Sequence, residues 1–190
     1  MENGKPVKMS KRAGTFVTVR DVIDAVGADV IRFIMLTRRS DQTLDFDYAK
    51  VTEQSRDNPV FYVQYAHARA CSVLRQPGIN GEDVTGAGDA ALDRLTSPAE
   101  MAVIKALASW PRLVVSAAQS HEPHRVAFYL MDLAASFHAL WTAGREAPEL
   151  RFIRDDDAGL TAARLCLVKA TALVIRSGLG VLSIQAREEM

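Results

Sequence analysis

From Arg20 onward, apolar positions recur at the three-and-four spacing of amphipathic helices, whereas only residues 1–19 carry strand character. In that first stretch Phe16-Val17-Thr18-Val19 alternates and is β-branched, and Gly14 marks a turn before it, which predicts a short β-hairpin. Asp21 is placed to cap a short helix ending near Gly27. Ala28 to Arg38 then reads as a helix, with Val30, Ile31, Ile34 and Met35 on its apolar face and Arg38-Arg39 in its last turn. Asp47 is placed to cap another helix through about Gln54. Asn58-Pro59 opens a long helix reaching about Gln76, with Pro at the first helical position, and Pro77-Gly78 stops it. Residues 77–89 are glycine-rich and polar, the pattern of a surface loop.

The second half of the chain predicts three more helices. Ser97-Pro98-Ala99-Glu100 has capping-box spacing; the helix it starts carries Met101, Ile104, Leu107 and Ala108 on one face until Pro111 kinks or restarts it. Pro123 opens a helix with the stripe Val126, Leu130, Leu133, Phe137 and Leu140, which Trp141 broadens. The last helix, about Asp157 to Ser177, is apolar on most of its circumference and belongs in the middle of a bundle, with Gly178 ending it as a C′ residue. The predicted architecture is all-α: an antiparallel helix bundle over 58–190, preceded over 1–57 by a short hairpin remnant and a small helical connector.

Composition adds little to this pattern. At 48% hydrophobic and 24% charged residues, the chain resembles an ordinary soluble globular protein. Cys71 and Cys166 sit far apart in apolar helical patterns and read as small core residues, not as a disulfide or zinc framework. Because no apolar run approaches the ~20 residues that span a bilayer and no signal peptide pattern opens the chain, a cytoplasmic protein without membrane contact is expected. Charge is more informative. The net charge is zero, but residues 1–39 hold eight Lys/Arg against four acids, so the first segment is +4 and the remainder −4. Anion binding is therefore expected to begin at the N-terminal end.

Chemistry enters at Lys8-Met9-Ser10-Lys11-Arg12. Two lysines three apart, with a small hydroxyl residue between them and Gly14 just after, make a cationic loop able to close over a polyphosphate. Its ammonium groups would counter charge on a departing pyrophosphate. A solvated basic loop fits the same five residues. The run KMSKRAGTFVTVRDVIDAVGADVIRF resembles the signature loop of class I aminoacyl-tRNA synthetases, in the arginyl form that ends in arginine, here Arg12. The resemblance continues through Leu44-Asp45-Phe46-Asp47, through the phrase NPVFYVQYAHAR from Asn58 to Arg69, through Tyr129 to Ala134 with Phe137-His138, and to Met190.

That resemblance to the arginyl-tRNA synthetase family implies that Lys11 stabilises the ATP triphosphate during arginine adenylation, with Lys8, Met9, Ser10 and Arg12 as loop partners. It implies ATP with Mg2+, arginine and tRNA(Arg) as partners of the full-length enzyme, no cofactor held tightly by this chain, and a monomer. Residues 20–50 become a stem-contact connector, and residues 58–190 the helical DALR anticodon-binding domain. The family's Rossmann domain with its His-x-Gly-His motif has no counterpart in these residues. Met1 stands only seven residues before Lys8, in mid-hairpin, so the expectation is a C-terminal piece of a ligase that is inactive in adenylation on its own.

On the helix after Pro59, Tyr62, Tyr65, Arg69, Ser72 and Gln76 share one face, and Val63, Ala66, Ala70, Val73 and Leu74 form the opposite, core-directed side. Aromatics interleaved with Arg and Gln can stack on unpaired bases and bind phosphate; half-buried tyrosines with surface hydroxyls fit the same spacing. The resemblance favours the first reading and makes Tyr62, Gln64, Tyr65, Arg69 and Met190 the candidate tRNA contacts. At the C-terminus, Arg187 stands where the family usually has proline, Glu189 where it has arginine, and Ser183 where it has glycine, so only Met190 carries over. His121-Glu122-Pro123-His124 lacks the third ligand that a zinc site needs, and Asp155-Asp156-Asp157 is explained by the helix N-terminus that follows it. Two rival readings remain: a stand-alone RNA- or protein-binding helical module, and a cysteinyl-type synthetase, against which Arg12 and the NPVFYVQYAHAR phrase speak.

Overall fold

The computed structural model describes residues 17–39, 41–44, 58–76, 79 and 91–190. The expected hairpin up to Phe16, the signature loop Lys8–Arg12, the expected helix from Asp47 and nearly all of the loop at 77–89 lie outside the described residues. Among those described, regular structure is helical: α1 (Val19–Val26), α2 (Ala28–Leu36), α3 (Pro59–Leu74), α4 (Pro98–Ser120), α5 (His124–Glu146) and α6 (Ala158–Val181), with 3-10 turns at Leu92–Arg94 and Pro148–Leu150.

Local chemistry sets most helix starts where the sequence predicts them. Asn58 caps α3 by accepting from the Phe61 amide, with Pro59 at the first position. Ser97 and Glu100 close a reciprocal capping box on α4, and Asp157 caps α6 through the Leu160 amide. The start of α1 differs from expectation. Thr18 is its cap and Asp21 the reciprocal partner, so Val19 is helical rather than part of a strand.

Three other expectations about helices are corrected. The second helix stops at Leu36, so Arg38 and Arg39 lie beyond its last turn; Met35 is exposed, and Phe33 is the residue that is fully buried. Pro111 does not restart α4, which runs through it unbroken. Just before the proline, the Ala106 carbonyl accepts from both the Tyr129 and Ser109 hydroxyls. Gly178 does not end α6. The helix continues to Val181, and the amides of Ser183 and Ile184 bond back to the Gly180 and Leu179 carbonyls as in a Schellman end. Gly178 is instead a packing site: a Cβ there would lie 2.7 Å from Leu130 Cδ2 and 3.2 Å from Trp110.

The apolar stripe of α5 (Val126, Leu130, Leu133, Phe137, Leu140) is buried as predicted and joins Val63, Ala66, Ala70 and Val73 of α3 and Val168, Ile175 and Leu179 of α6 in one core. Helices α5 and α6 each pack against α3, α4 and one another. Helix α4 folds back onto α5 across a short turn in which His121 takes a left-handed conformation (φ 56). By length and composition, α4, α5 and α6 are each apolar enough to cross a membrane, contrary to the expected absence of any such run. In α5 and α6 half of that apolar stretch is buried inside the bundle, where a broadly apolar helix finds its partners in its neighbours. The two cysteines are half-buried rather than core residues.

Candidate nucleic-acid interface

The C-terminal half of α3 forms one wall of an open groove of about 850 Å³. The facing walls are the end of α5 (Trp141, Gly144, Arg145), the segment Arg151-Phe152-Ile153, and the tail Glu188-Glu189-Met190. Each wall follows from a local sequence feature. Trp141 and Arg145 are one turn apart and share a face of α5. Gly144 lets the following segment cross at close range, since a Cβ there would come within 2.9 Å of the Leu150 carbonyl. Phe152 is anchored by stacking on Phe137, with centroids 5.9 Å apart, and by a tilted contact with Trp141.

Arg69 is the hub of the groove. Its guanidinium lies 4.2 Å from the Tyr65 ring centroid and 5.0 Å from that of Trp141. One nitrogen donates to the Tyr65 hydroxyl at 3.1 Å and another to His138 Nδ1 at 3.0 Å. Since arginine only donates, Nδ1 is the acceptor, and His138 Nε2–H donates to the Tyr62 carbonyl at 3.2 Å. Arg69, Arg75, Arg145 and Arg151 line the groove against the two carboxylates Glu188 and Glu189. The described groove is therefore cationic, with π-faces set between its charges.

The tail reaches the groove because polar side chains on α2 and α3 hold its backbone. Gln64 Nε2 donates to the Gln185 carbonyl at 2.8 Å, His67 Nδ1 lies 2.8 Å from the Arg187 carbonyl, and Arg75 donates to the Glu188 carbonyl at 3.0 Å. Arg32 donates to the Ser183 carbonyl, and the Gln185 amide to Asp29. Arg75 also pairs with the Glu188 and Glu189 carboxylates at 3.8 and 3.5 Å. Cys71 sits 3.7 Å from His67, and burial, with Glu188 nearby, pushes its thiol above the ordinary range.

Of the residues singled out in the sequence, Tyr65, Arg69, Ser72, Gln76 and Met190 come together in the groove. Gln64 does not join them: it is only 4% exposed, and its amide is committed to the tail. Tyr62 is half-buried against the His138 ring, with centroids 4.6 Å apart, and does not line the groove. Lys8, Met9, Ser10, Lys11 and Arg12 lie outside the described residues. Sequence reasoning missed Arg75, Arg145, Arg151 and Phe152 and assigned Trp141 to the core. The one signal available was the four-residue step from Trp141 to Arg145. Asp156 and Asp157 are held by Arg154 and Arg94 respectively, and Asp157 caps α6.

Residues 63–190 match the family model described as the DALR anticodon binding domain. The whole chain is 58% identical to the arginine–tRNA ligase of Rhodospirillum rubrum and 57% identical to that of Ruegeria pomeroyi, covering 33% of each. It thus spans about a third of the length of the curated relatives it matches. Among solved structures, the chain resembles a putative arginyl-tRNA synthetase from Campylobacter jejuni (TM-score 0.82, 26% identity), covering 100% of this chain and 39% of that one. It also resembles the arginyl-tRNA synthetase of Thermus thermophilus (TM-score 0.65, 28% identity), covering 95% of this chain and 29% of that one.

Proposed function

The chain belongs to the DALR anticodon-binding domain family, and from that premise we propose that it is the C-terminal part of an arginine–tRNA ligase whose groove receives the anticodon loop of tRNA(Arg). The observation that carries this reading is the convergence of Tyr65, Trp141 and Phe152 with four arginines in one open groove. Unpaired loop bases present π-faces and phosphates together. A groove of aromatic rings and planar guanidinium groups answers both. Tyr65, Arg69 and Met190 are the contacts proposed from α3 and the tail, with Trp141, Arg145, Arg151 and Phe152 added opposite them. Gln64 and Tyr62 serve indirectly, Gln64 by holding the tail and Tyr62 by supporting His138 beside Arg69.

At the other end of the chain, Lys8 and Lys11, with Met9, Ser10 and Arg12, form the loop proposed to close over ATP and Mg2+ when arginine is activated. That step is proposed to need a catalytic domain in the part of the longer relatives that this chain does not span. The chain by itself is therefore expected to give no arginine-dependent ATP–pyrophosphate exchange, and measurable exchange would contradict this division of labour. The RNA-binding half is tested by fluorescence anisotropy with a labelled tRNA(Arg) anticodon stem-loop. Binding that weakens with salt and falls on Arg69→Ala supports the groove; an unaltered affinity in that variant removes it.

A further inference from the structure

Given the groove as an RNA surface, as proposed above, one of its walls depends on two side chains that are not among its lining residues. Arg164, on the inner face of α6, is 4% exposed, and Glu100, in the first turn of α4, is 2% exposed. Arg164 Nε donates to Glu100 Oε1 at 2.7 Å. Its Nη1 donates to two backbone carbonyls, those of Glu149 and Arg151, at 2.7 Å each. The other oxygen of the same carboxylate accepts the Ser97 amide at 3.0 Å and so completes the α4 capping box.

We infer that Arg164, fixed by Glu100, is a positioning residue for RNA binding, acting by holding the 149–151 backbone so that the Arg151 side chain lines the groove. Of the two carbonyls it binds, that of Glu149 lies within the 3-10 turn at Pro148–Leu150 and that of Arg151 just after it, where the chain crosses Gly144. With the Arg151 carbonyl drawn inward to a buried cation, the exposed Arg151 side chain remains on the groove side. One turn earlier on α6, Thr161 Oγ1 accepts the Arg154 amide at 2.9 Å and donates to the Arg154 carbonyl at 3.1 Å. Side chains of α6 therefore staple both ends of the 149–154 segment.

Lysine cannot replace this arginine. A single ammonium offers a point charge rather than a planar fork that spans a carboxylate and two carbonyls. The charge on Glu100 strengthens this hold, because a buried guanidinium without a counter-ion is costly, while the Oε1 acceptor alone keeps part of it.

The test compares wild type, Arg151→Ala, Arg164→Lys and the double variant, with Arg94→Ala as a control that breaks an ion pair away from the groove. Affinity for the anticodon stem-loop RNA is measured against salt, well below each unfolding midpoint. Arg151→Ala is expected to weaken binding about three- to tenfold and to reduce the slope of log K against log salt by about 0.7 to 1, the loss of one phosphate contact. Arg164→Lys is expected to do the same, and the double variant to be no worse than either single one, because both remove the same contact. Arg94→Ala keeps the wild-type slope.

A folded Arg164→Lys variant with wild-type affinity and slope, or losses that multiply with those of Arg151→Ala, overturns the inference. If Arg164→Lys does not fold, Glu100→Gln keeps an oxygen acceptor and takes its place, with a smaller loss that again does not add to Arg151→Ala; an additive loss overturns the inference. If Arg151→Ala itself changes neither affinity nor slope, the groove reading falls too. If Arg151→Ala weakens binding and Arg164→Lys does not, only the positioning role falls.

Discussion

The Arg69 guanidinium lies 4.2 Å from the Tyr65 ring centroid, one turn away on the same helix, with His138 accepting one of its N–H groups. The pair presents a flat cation backed by an aromatic ring. Lysine at this position would keep the charge and lose the plane. Arg69→Lys is therefore expected to weaken stem-loop binding nearly as much as Arg69→Ala, about tenfold, in line with stacking contacts of roughly 1–3 kcal/mol per base. Anisotropy titrations of the two variants side by side check this; full recovery by lysine would reduce Arg69 to a point charge.

Glu188 and Glu189 offset the Arg75 charge at the groove edge. Their side chains are exposed, so the pairs add little to stability, but they lower the local field that an RNA phosphate meets. Glu188→Gln with Glu189→Gln is expected to tighten stem-loop binding several-fold at low salt and to steepen its salt dependence. Midpoints of thermal unfolding should barely move.

Gly178 carries a prediction about packing. A methyl group at this position would sit 2.7 Å from Leu130 Cδ2 with Trp110 at 3.2 Å behind it, in the contact between α5, α4 and α6. Gly178→Ala is expected to destabilise the chain by about 1–3 kcal/mol, the usual cost of overpacking, despite alanine's better helix propensity. Urea denaturation measures it.

Ser183 holds the left-handed conformation at the end of α6, with φ 56. Glycine adopts that conformation without the roughly 1–2 kcal/mol strain of an L side chain, although it gives back part of the gain through a more flexible unfolded chain. Ser183→Gly is expected to stabilise the chain by a few tenths to about 1 kcal/mol. The amides that bond back into α6 next to it should then exchange more slowly with solvent.

The pH dependence is expected to include Asp157. The Arg94 guanidinium, then the Leu160 amide, hold its carboxyl down at about 2. A carboxylate with a lowered folded pKa contributes stability that is fully present above its unfolded value near 3.9. That contribution is lost as pH falls from about 5 towards 2. Asp157→Asn is expected to lower stability at neutral pH and to flatten the acid limb of the unfolding midpoint against pH, which thermal scans from pH 7 to 2 would reveal.

Most helix starts were legible in the sequence because their signals are local, the start of α1 at Thr18 being the exception. Asn58-Pro59, Ser97 to Glu100, and Asp157 each carry donor and acceptor within a few residues. Helix ends were less legible. Gly178 looks like a stop signal, yet a close approach between helices explains it, and the helix runs on to Val181 with the left-handed turn after it taken by Ser183. Pro111 looks like a break, yet α4 runs through it. In the groove, the α3 wall could be read from the spacing of Tyr65 and Arg69. The facing wall could not, because Arg151 and Phe152 reach it through a non-helical segment whose path depends on Gly144 and on a buried arginine on a different helix. Gln64 illustrates the converse: nothing in its neighbours along the sequence shows that it is buried under the tail.

The central claim is that an unpaired RNA loop lies in the groove between α3, the end of α5 and the tail. Photocrosslinking places it most directly, using tRNA(Arg) anticodon stem-loops that carry 4-thiouridine at successive loop positions, with the attached peptides mapped by mass spectrometry. The expected result is crosslinks concentrated on Tyr65, Trp141, Phe152 and Met190, and lost in the presence of excess unlabelled stem-loop. Crosslinks concentrated instead on the outer face of α4, around Val115, would contradict the account.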